Sequence, residues 1–152
     1  DSNIEKIVDI GFVGEPKSLN KNILEDFIKK DQIPVISPLG KDEENFTYNI
    51  NADTVAGFVA GELKASKLLL LTDVPGIFNE EKKLISSLTL KEAIEISGMD
   101  YISGGMKPKI QTCIDAMEKG VSKSTILDGR IPHSVILELF TEHGIGTQIS
   151  NY

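Results

Sequence analysis

Two lysines stand in the segment Ser103-Gly104-Gly105-Met106-Lys107-Pro108-Lys109, directly behind a pair of glycines. Proline is at home in the first turn of a helix, so the glycines lead into a helix whose opening turn carries both lysines. The positive end of a helix disfavours a cation by roughly 0.3–1 kcal/mol. Two cations placed there imply that an anion is expected. Free amides at a glycine-flanked helix start, joined by an ammonium group, make a phosphate site. Two solvated surface lysines are the plainer alternative.

The segment Leu71-Thr72-Asp73-Val74-Pro75-Gly76-Ile77 ends an apolar run with a polar pair and a Pro-Gly turn. Pro and Gly make turns for conformational reasons alone. The functional reading is a nucleotide loop, with Thr72 and backbone amides facing the ligand. In Tyr48-Asn49-Ile50-Asn51-Ala52-Asp53, Asn51 suits the N-cap of a following helix and Asp53 its positive first turn. Those roles leave Asn49 over. An amide just outside a helix start can donate to a ligand carboxylate or acyl oxygen.

The elements that must position these residues follow from periodicity. Residues 7–13 read as a strand, with Gly11 and Gly14 suggesting a bend or hairpin. Asn20 opens a helix through Lys30, with Ile23, Leu24, Phe27 and Ile28 at helical spacing. Residues 33–36 read as a buried strand. The helix after Asn51 shows Val55, Phe58, Val59 and Leu63 on one face. Residues 68–72 form a continuous apolar strand, as in a parallel sheet covered on both faces. Thr89 with Glu92 makes a capping box for a third helix. A fourth runs from the glycine pair to Gly120. Residues 124–127 form a strand, residues 133–142 a last helix stopped by Gly144, and residues 146–149 an edge or hairpin strand. Strands alternating with helices predict an α/β fold, a three-layer αβα arrangement on a mainly parallel open sheet. Ligands of such sheets bind beyond the carboxyl ends of the strands, here after Ile36, Thr72 and Leu127.

Composition narrows the classes. The 152 residues fit one domain, and 40% hydrophobic with 26% charged residues is ordinary globular usage. A net charge of −7 argues against a nucleic-acid binder. The longest apolar run is too short to span a membrane. The single cysteine, Cys113, sits at an apolar helix position and reads as a small buried hydrophobe. There is no Walker-type phosphate loop and no GxGxxG fingerprint. His133 and His143 lack partners at zinc spacing, so no metal site is expected.

Asn49-Ile50-Asn51-Ala52-Asp53, the Leu71 to Ile77 segment, Gly105-Met106-Lys107-Pro108-Lys109 and the closing Gly144-Ile145-Gly146-Thr147 occur in this order. Together they resemble the amino-acid kinase family, and within it the acetylglutamate kinases, over essentially the whole chain. The resemblance implies transfer of the γ-phosphoryl group of ATP, with Mg²⁺ and no tightly bound cofactor, to the side-chain carboxylate of N-acetyl-L-glutamate in arginine biosynthesis. By motif, Asn49 holds the substrate, Lys109 stabilises the transferring phosphoryl group and Asp53 orients the catalytic lysines. The nucleotide loops are then Thr72, Asp73, Val74, Pro75, Gly76, Ile77 and Phe78, with Tyr101, Ile102, Ser103, Gly105 and Met106. Residues 1–18 correspond to a strand or hairpin remnant of the substrate lobe, and residues 19–152 to the nucleotide-binding domain. The resemblance also implies a cytoplasmic enzyme, a homo-oligomer at full length, with no nucleic acid or membrane partner. The stretch from His133 to Gly146 resembles the part that binds arginine in feedback-inhibited members. The family's N-terminal lysine, its substrate-gripping glycines and its substrate arginine match nothing before Asn49. The chain is therefore expected to be incomplete for turnover. An isolated nucleotide-binding module without turnover, or a sister amino-acid kinase, is the alternative.

Overall fold

Side-chain capping sets two of the five helix starts among the described residues. The computed structural model describes residues 11–142 and 144–151. Along them run α1 (Lys21–Lys29), β1 (Leu39–Lys41), β2 (Thr47–Asn49), α2 (Ala52–Glu62), β3 (Lys67–Thr72) and β4 (Ser87–Thr89). They are followed by α3 (Leu90–Ser97), α4 (Met106–Glu118), β5 (Lys123–Asp128), α5 (Ser134–Phe140) and β6 (Thr147–Ser150). The Asn51 side chain accepts from the amides of Asp53 and Thr54 at 2.9 and 3.2 Å, which caps α2. At α3 the Thr89 hydroxyl accepts from the Glu92 amide, and the Glu92 carboxylate accepts from the Thr89 amide at 2.7 Å. That backbone hydrogen bond, helped by the Thr89 hydroxyl, holds the Glu92 carboxyl below its usual range.

The main sheet has the order β3-β5-β6-β4. β3 pairs parallel to β5, β4 parallel to β6, and β5 antiparallel to β6. Neighbouring residues of a strand point to opposite faces. On β5 Ile126 packs in the core with Ile110 and Ile114 of α4. The preceding residue, Thr125, donates to Glu138 of α5 at 3.1 Å. Helices α4 and α5 therefore flank the sheet, giving the three-layer αβα arrangement. The core lies on the α4 side, where Leu68, Leu70, Ile126 and Ile149 meet Ile110, Ile114 and Met117. The α5 side is thinner, since that helix has only seven residues, and Leu71 stays 46% exposed.

Four expectations change. Residues 33–36 are not a buried strand. They pair with nothing among the described residues, and Ile33 and Val35 are more than nine-tenths exposed. An apolar run becomes a strand only where a neighbour offers a ladder, and none is offered among the described residues. Second, α1 forms where expected, but of its four apolar residues only Leu24 is buried. Third, the buried face of α2 is Gly57, Ala60 and Gly61, not Val55, Phe58, Val59 and Leu63, which are half-buried. A Cβ on Gly57 would fall 2.5 Å from Thr112 Cγ2, and one on Gly61 2.8 Å from the Lys119 side chain. Small residues let α2 lie directly against α4, and backbone proximity overrides hydrophobicity in choosing the face. Fourth, β6 is an interior strand, flanked by β5 and β4. Of the strand expected over 7–13, residues 7–10 lie outside the described residues, and Val13 makes a single parallel bridge to Asn49.

The hairpin of β1 and β2 was not legible beforehand. Asp42 builds its turn by accepting from the Glu44 and Phe46 amides and the Tyr48 hydroxyl. This hairpin delivers the chain to Asn51 and hence aims the first turn of α2 at α4.

Candidate functional site

The Pro-Gly loop leaves the carboxyl end of β3, and the glycine pair precedes α4. Sheet topology brings the two together. Between them lies a cavity of about 340 Å³. Thr72, Asp73, Val74, Gly76 and Phe78 line one wall, and Tyr101, Ile102, Ser103, Gly105, Met106 and Lys109 the other. Two residues of the expected loop do not line it. Pro75 is half-buried beside the opening, and Ile77 has no exposed surface and belongs to the core.

Helix α4 starts at Met106 with no side-chain cap, and Gly104 adopts φ +58°, a conformation that suits glycine. The Met106 amide already donates to Ser103 O at 3.4 Å, and the amides of Gly105 and Lys107, which have no partner among the described residues, are left to a ligand in place of a cap. The two first-turn lysines part company. Lys107 is exposed and away from the cavity, whereas Lys109 is turned inward. Lys109 Nζ donates to Asp53 Oδ2 at 2.5 Å, with the two side chains 18% and 25% exposed. Asp53 stands in the first turn of α2, fixed by the Asn51 cap. The close crossing of α2 and α4 lets a short carboxylate reach the lysine. A charge pair partly shielded from water is screened less than a surface pair, so the ammonium is held in one place.

Asn49 ends β2, two residues before the cap. Its amide donates to Phe12 O at 2.8 Å and its carbonyl accepts from Gly14 at 3.0 Å. Its side chain is exposed, bonds to nothing among the described residues and does not line the cavity. The nucleotide-loop residues, Lys109 and Asp53 are therefore gathered in one place, while Asn49 stands apart.

Two neighbouring groups went unforeseen. At the end of β5, Arg130 forks onto Asp128, its Nε and Nη2 donating at 3.0 and 2.8 Å. The fork holds the Asp128 carboxyl below its usual range and pushes the guanidinium up, with Asp73 adding to the pull. Arg130 does not line the cavity. The second is Thr147, whose hydroxyl accepts from the Ile77 amide at 2.8 Å. Its motif was visible in the sequence, but nothing local to residues 144–147 shows that they reach residue 77.

Cys113 lies one helical turn beyond Lys109. Burial pushes its thiol from 9.0 to about 12, with the Ser124 hydroxyl offsetting only part of the rise. Three units mean roughly a thousandfold less thiolate, the reactive form. Native protein is expected to leave a thiol-specific chromogenic disulfide unreacted at pH 8. After unfolding in urea it should consume one equivalent. Rapid reaction without denaturant would contradict the packing described.

The profile described as the amino acid kinase family matches residues 2–128. An acetylglutamate kinase of Brucella canis is 53% identical over 149 residues, 98% of this chain and 50% of that protein. The chain thus spans about half the length of the curated relatives it matches. Among solved structures, an N-acetylglutamate synthase from Neisseria gonorrhoeae, complexed with coenzyme A and L-arginine, matches with a TM-score of 0.88. It is 29% identical and covers 95% of this chain and 34% of that one. A carbamate kinase from Giardia lamblia bound to AMP-PNP matches with a TM-score of 0.68 at 18% identity, over 91% of this chain and 46% of that one, which speaks for the fold alone. A phosphate-ready helix start, a facing strand-end loop and a matched profile over most of the sequence converge, and the chain belongs to the amino acid kinase family.

Proposed function

We propose that this chain is the ATP-binding part of an acetylglutamate kinase, which phosphorylates the side-chain carboxylate of N-acetyl-L-glutamate. The observation that carries the reading is Lys109, held by Asp53 at the uncapped start of α4 and turned into the cavity. Phosphoryl transfer asks the protein for positioning and for positive charge on the equatorial oxygens. Lys109 supplies that charge. Asp53 fixes the ammonium in place by the hydrogen bond it accepts. Backbone amides left free at the glycine-led start of α4 would take phosphate oxygens, and the loop from Thr72 to Phe78 would enclose the nucleoside. Mg²⁺ would arrive with ATP, held mainly by phosphate oxygens, and neutralise charge as the γ-phosphoryl group moves.

Substrate choice rests on the relatives, which are about half identical along nearly the whole chain. Asn49 would hold the acetylglutamate from the side facing residues 12–14. Residues 19–152 then serve as the nucleotide-binding domain, and residues 1–18 as a strand or hairpin remnant of a substrate lobe. A cytoplasmic homo-oligomer belongs to the same reading, as does arginine as an inhibitor near residues 133–146. A second reading, nucleotide binding without turnover, is favoured by the bare position of Asn49 outside the cavity.

Isothermal titration of this chain with a non-hydrolysable ATP analogue and Mg²⁺ tests the common part. Saturable binding with one site per chain is expected. Absence of binding by folded protein would overturn the assignment of the cavity. Phosphate transfer from ATP to N-acetyl-L-glutamate, assayed on the same protein, separates the kinase from the silent module.

A further inference from the structure

The closing motif Gly144-Ile145-Gly146-Thr147 has no part in the site described so far, although Thr147 touches its wall. We infer that Thr147 is a positioning residue for the nucleotide loop, an inference that rests on the nucleotide reading of the cavity.

Residues 77 and 85 face each other as in an antiparallel hairpin. The Ile85 amide donates to Ile77 O at 2.8 Å, and Asn79 donates to Lys83 O at 2.9 Å farther along. An ordinary ladder would complete the Ile77–Ile85 pair with the reverse bond, Ile77 N–H to Ile85 O. Here the Thr147 hydroxyl stands between them. It accepts from Ile77 N–H at 2.8 Å and donates to Ile85 O at 2.6 Å. The hydroxyl thus acts as a one-atom spacer that spreads the base of the hairpin.

The spacer itself is fixed. Thr147 has no exposed surface and pairs opposite Ile126 in the middle of the sheet. Gly146 lies so close to the Ile126 carbonyl that a side chain there would collide with it. The loop, by contrast, has little else to hold it. Residues 74–76 make no backbone hydrogen bond among the described residues. Gly76 instead rests on the spacer, since a Cβ there would lie 2.5 Å from Thr147 Oγ1 and 2.9 Å from Leu84 Cδ1. Gly76 and Phe78 line the cavity on either side of Ile77. Anchoring Ile77 by its amide therefore sets where both walls stand. Loss of the hydroxyl leaves a buried donor and a buried acceptor unpaired, and the hairpin can close by forming the missing ladder bond. The loop would then shift by about the width of the lost oxygen.

Thr147→Val removes the hydroxyl at nearly constant volume, and Thr147→Ser keeps it. The valine variant is expected to bind the Mg²⁺–ATP analogue about tenfold more weakly. Its Ile77 amide should exchange with solvent faster, and its far-ultraviolet spectrum should be unchanged. The serine variant should return both readouts to within about threefold of the parent. Unaltered affinity in a folded valine variant overturns the inference, even if stability falls. If that variant does not fold, Thr147→Ala decides, because it also removes the hydroxyl and leaves the cavity-lining Gly76 unchanged. Weakened binding there supports the inference and parental binding overturns it. A parent that binds no nucleotide overturns the reading of the cavity, and this inference with it.

Discussion

Replacing Lys109 with alanine is expected to weaken binding of the Mg²⁺–ATP analogue roughly 10- to 100-fold. A hydrogen bond to a charged group contributes about 1.5–3 kcal/mol, and the ammonium that would meet the phosphates is already in place before any ligand arrives. The alanine variant also leaves Asp53, one-quarter exposed at its side chain, facing the anion alone. Repulsion then adds to the lost attraction. Asp53→Asn should behave differently. It would remove a negative charge from near the phosphates, so affinity should stay within about threefold of the parent or tighten, because Coulomb repulsion between charges a few ångströms apart is worth about 1 kcal/mol or more. Its cost should fall on transfer, since Lys109 is then free to wander. Titration calorimetry on both variants checks the pair of outcomes. Equal losses in K109A and D53N would mean that the two residues act only as a structural strut.

The second large effect concerns stability. Glu138 of α5 is buried, and its carboxylate accepts from Lys67 at 2.9 Å, from the Thr125 hydroxyl at 3.1 Å and from the Ile145 amide at 3.0 Å. One side chain thereby fastens α5, β3, β5 and the loop entering β6. Glu138→Ala should cost about 3 kcal/mol, because it strands a cation and two buried donors; Lys67 is one-fifth exposed and recovers part of the loss from water. Urea unfolding at pH 7 measures it. Acid gives an independent check. Burial pushes the Glu138 carboxyl up, but the bonds from Lys67, Ile145 and Thr125 outweigh burial and hold it below its ordinary 4.5. A depressed folded pKa means that this stabilisation is complete above pH 4.5 and is lost as pH falls through the folded value. Glu138→Gln cannot titrate, so its stability should fall less steeply than the parent's below that pH.

Features carried by a few adjacent residues were readable in the sequence. The Asn51 cap, the box of Thr89 and Glu92 and the glycine-led start of α4 each follow from backbone amides needing local partners. Both cavity walls were legible for the same reason, since a strand-end loop and a helix start belong to the carboxyl edge of any parallel sheet. What escaped depends on distant contacts. The buried face of α2 was misjudged because Gly57 and Gly61 gain from the nearness of α4, which hydropathy does not register. Residues 33–36 have strand-like composition, but pairing is a property of two segments. Thr147 was visible as a motif and silent about its role, because its partners lie 70 and 62 residues away.

The placement of β6 between β5 and β4 also governs the order in which the molecule can assemble. β4 has its only ladder among the described residues with β6, so residues 87–89 wait for residues 148–150 before they can join the sheet. On a ribosome, β3 and β5 can zip together some twenty residues earlier than that. Until β6 arrives, β5 presents a bare edge and the hairpin at residues 77–85 lacks its spacer. Closure of the sheet and shaping of the Pro-Gly loop are therefore one event, made when β6 joins, and a nascent chain completes the wall of the cavity only at that step.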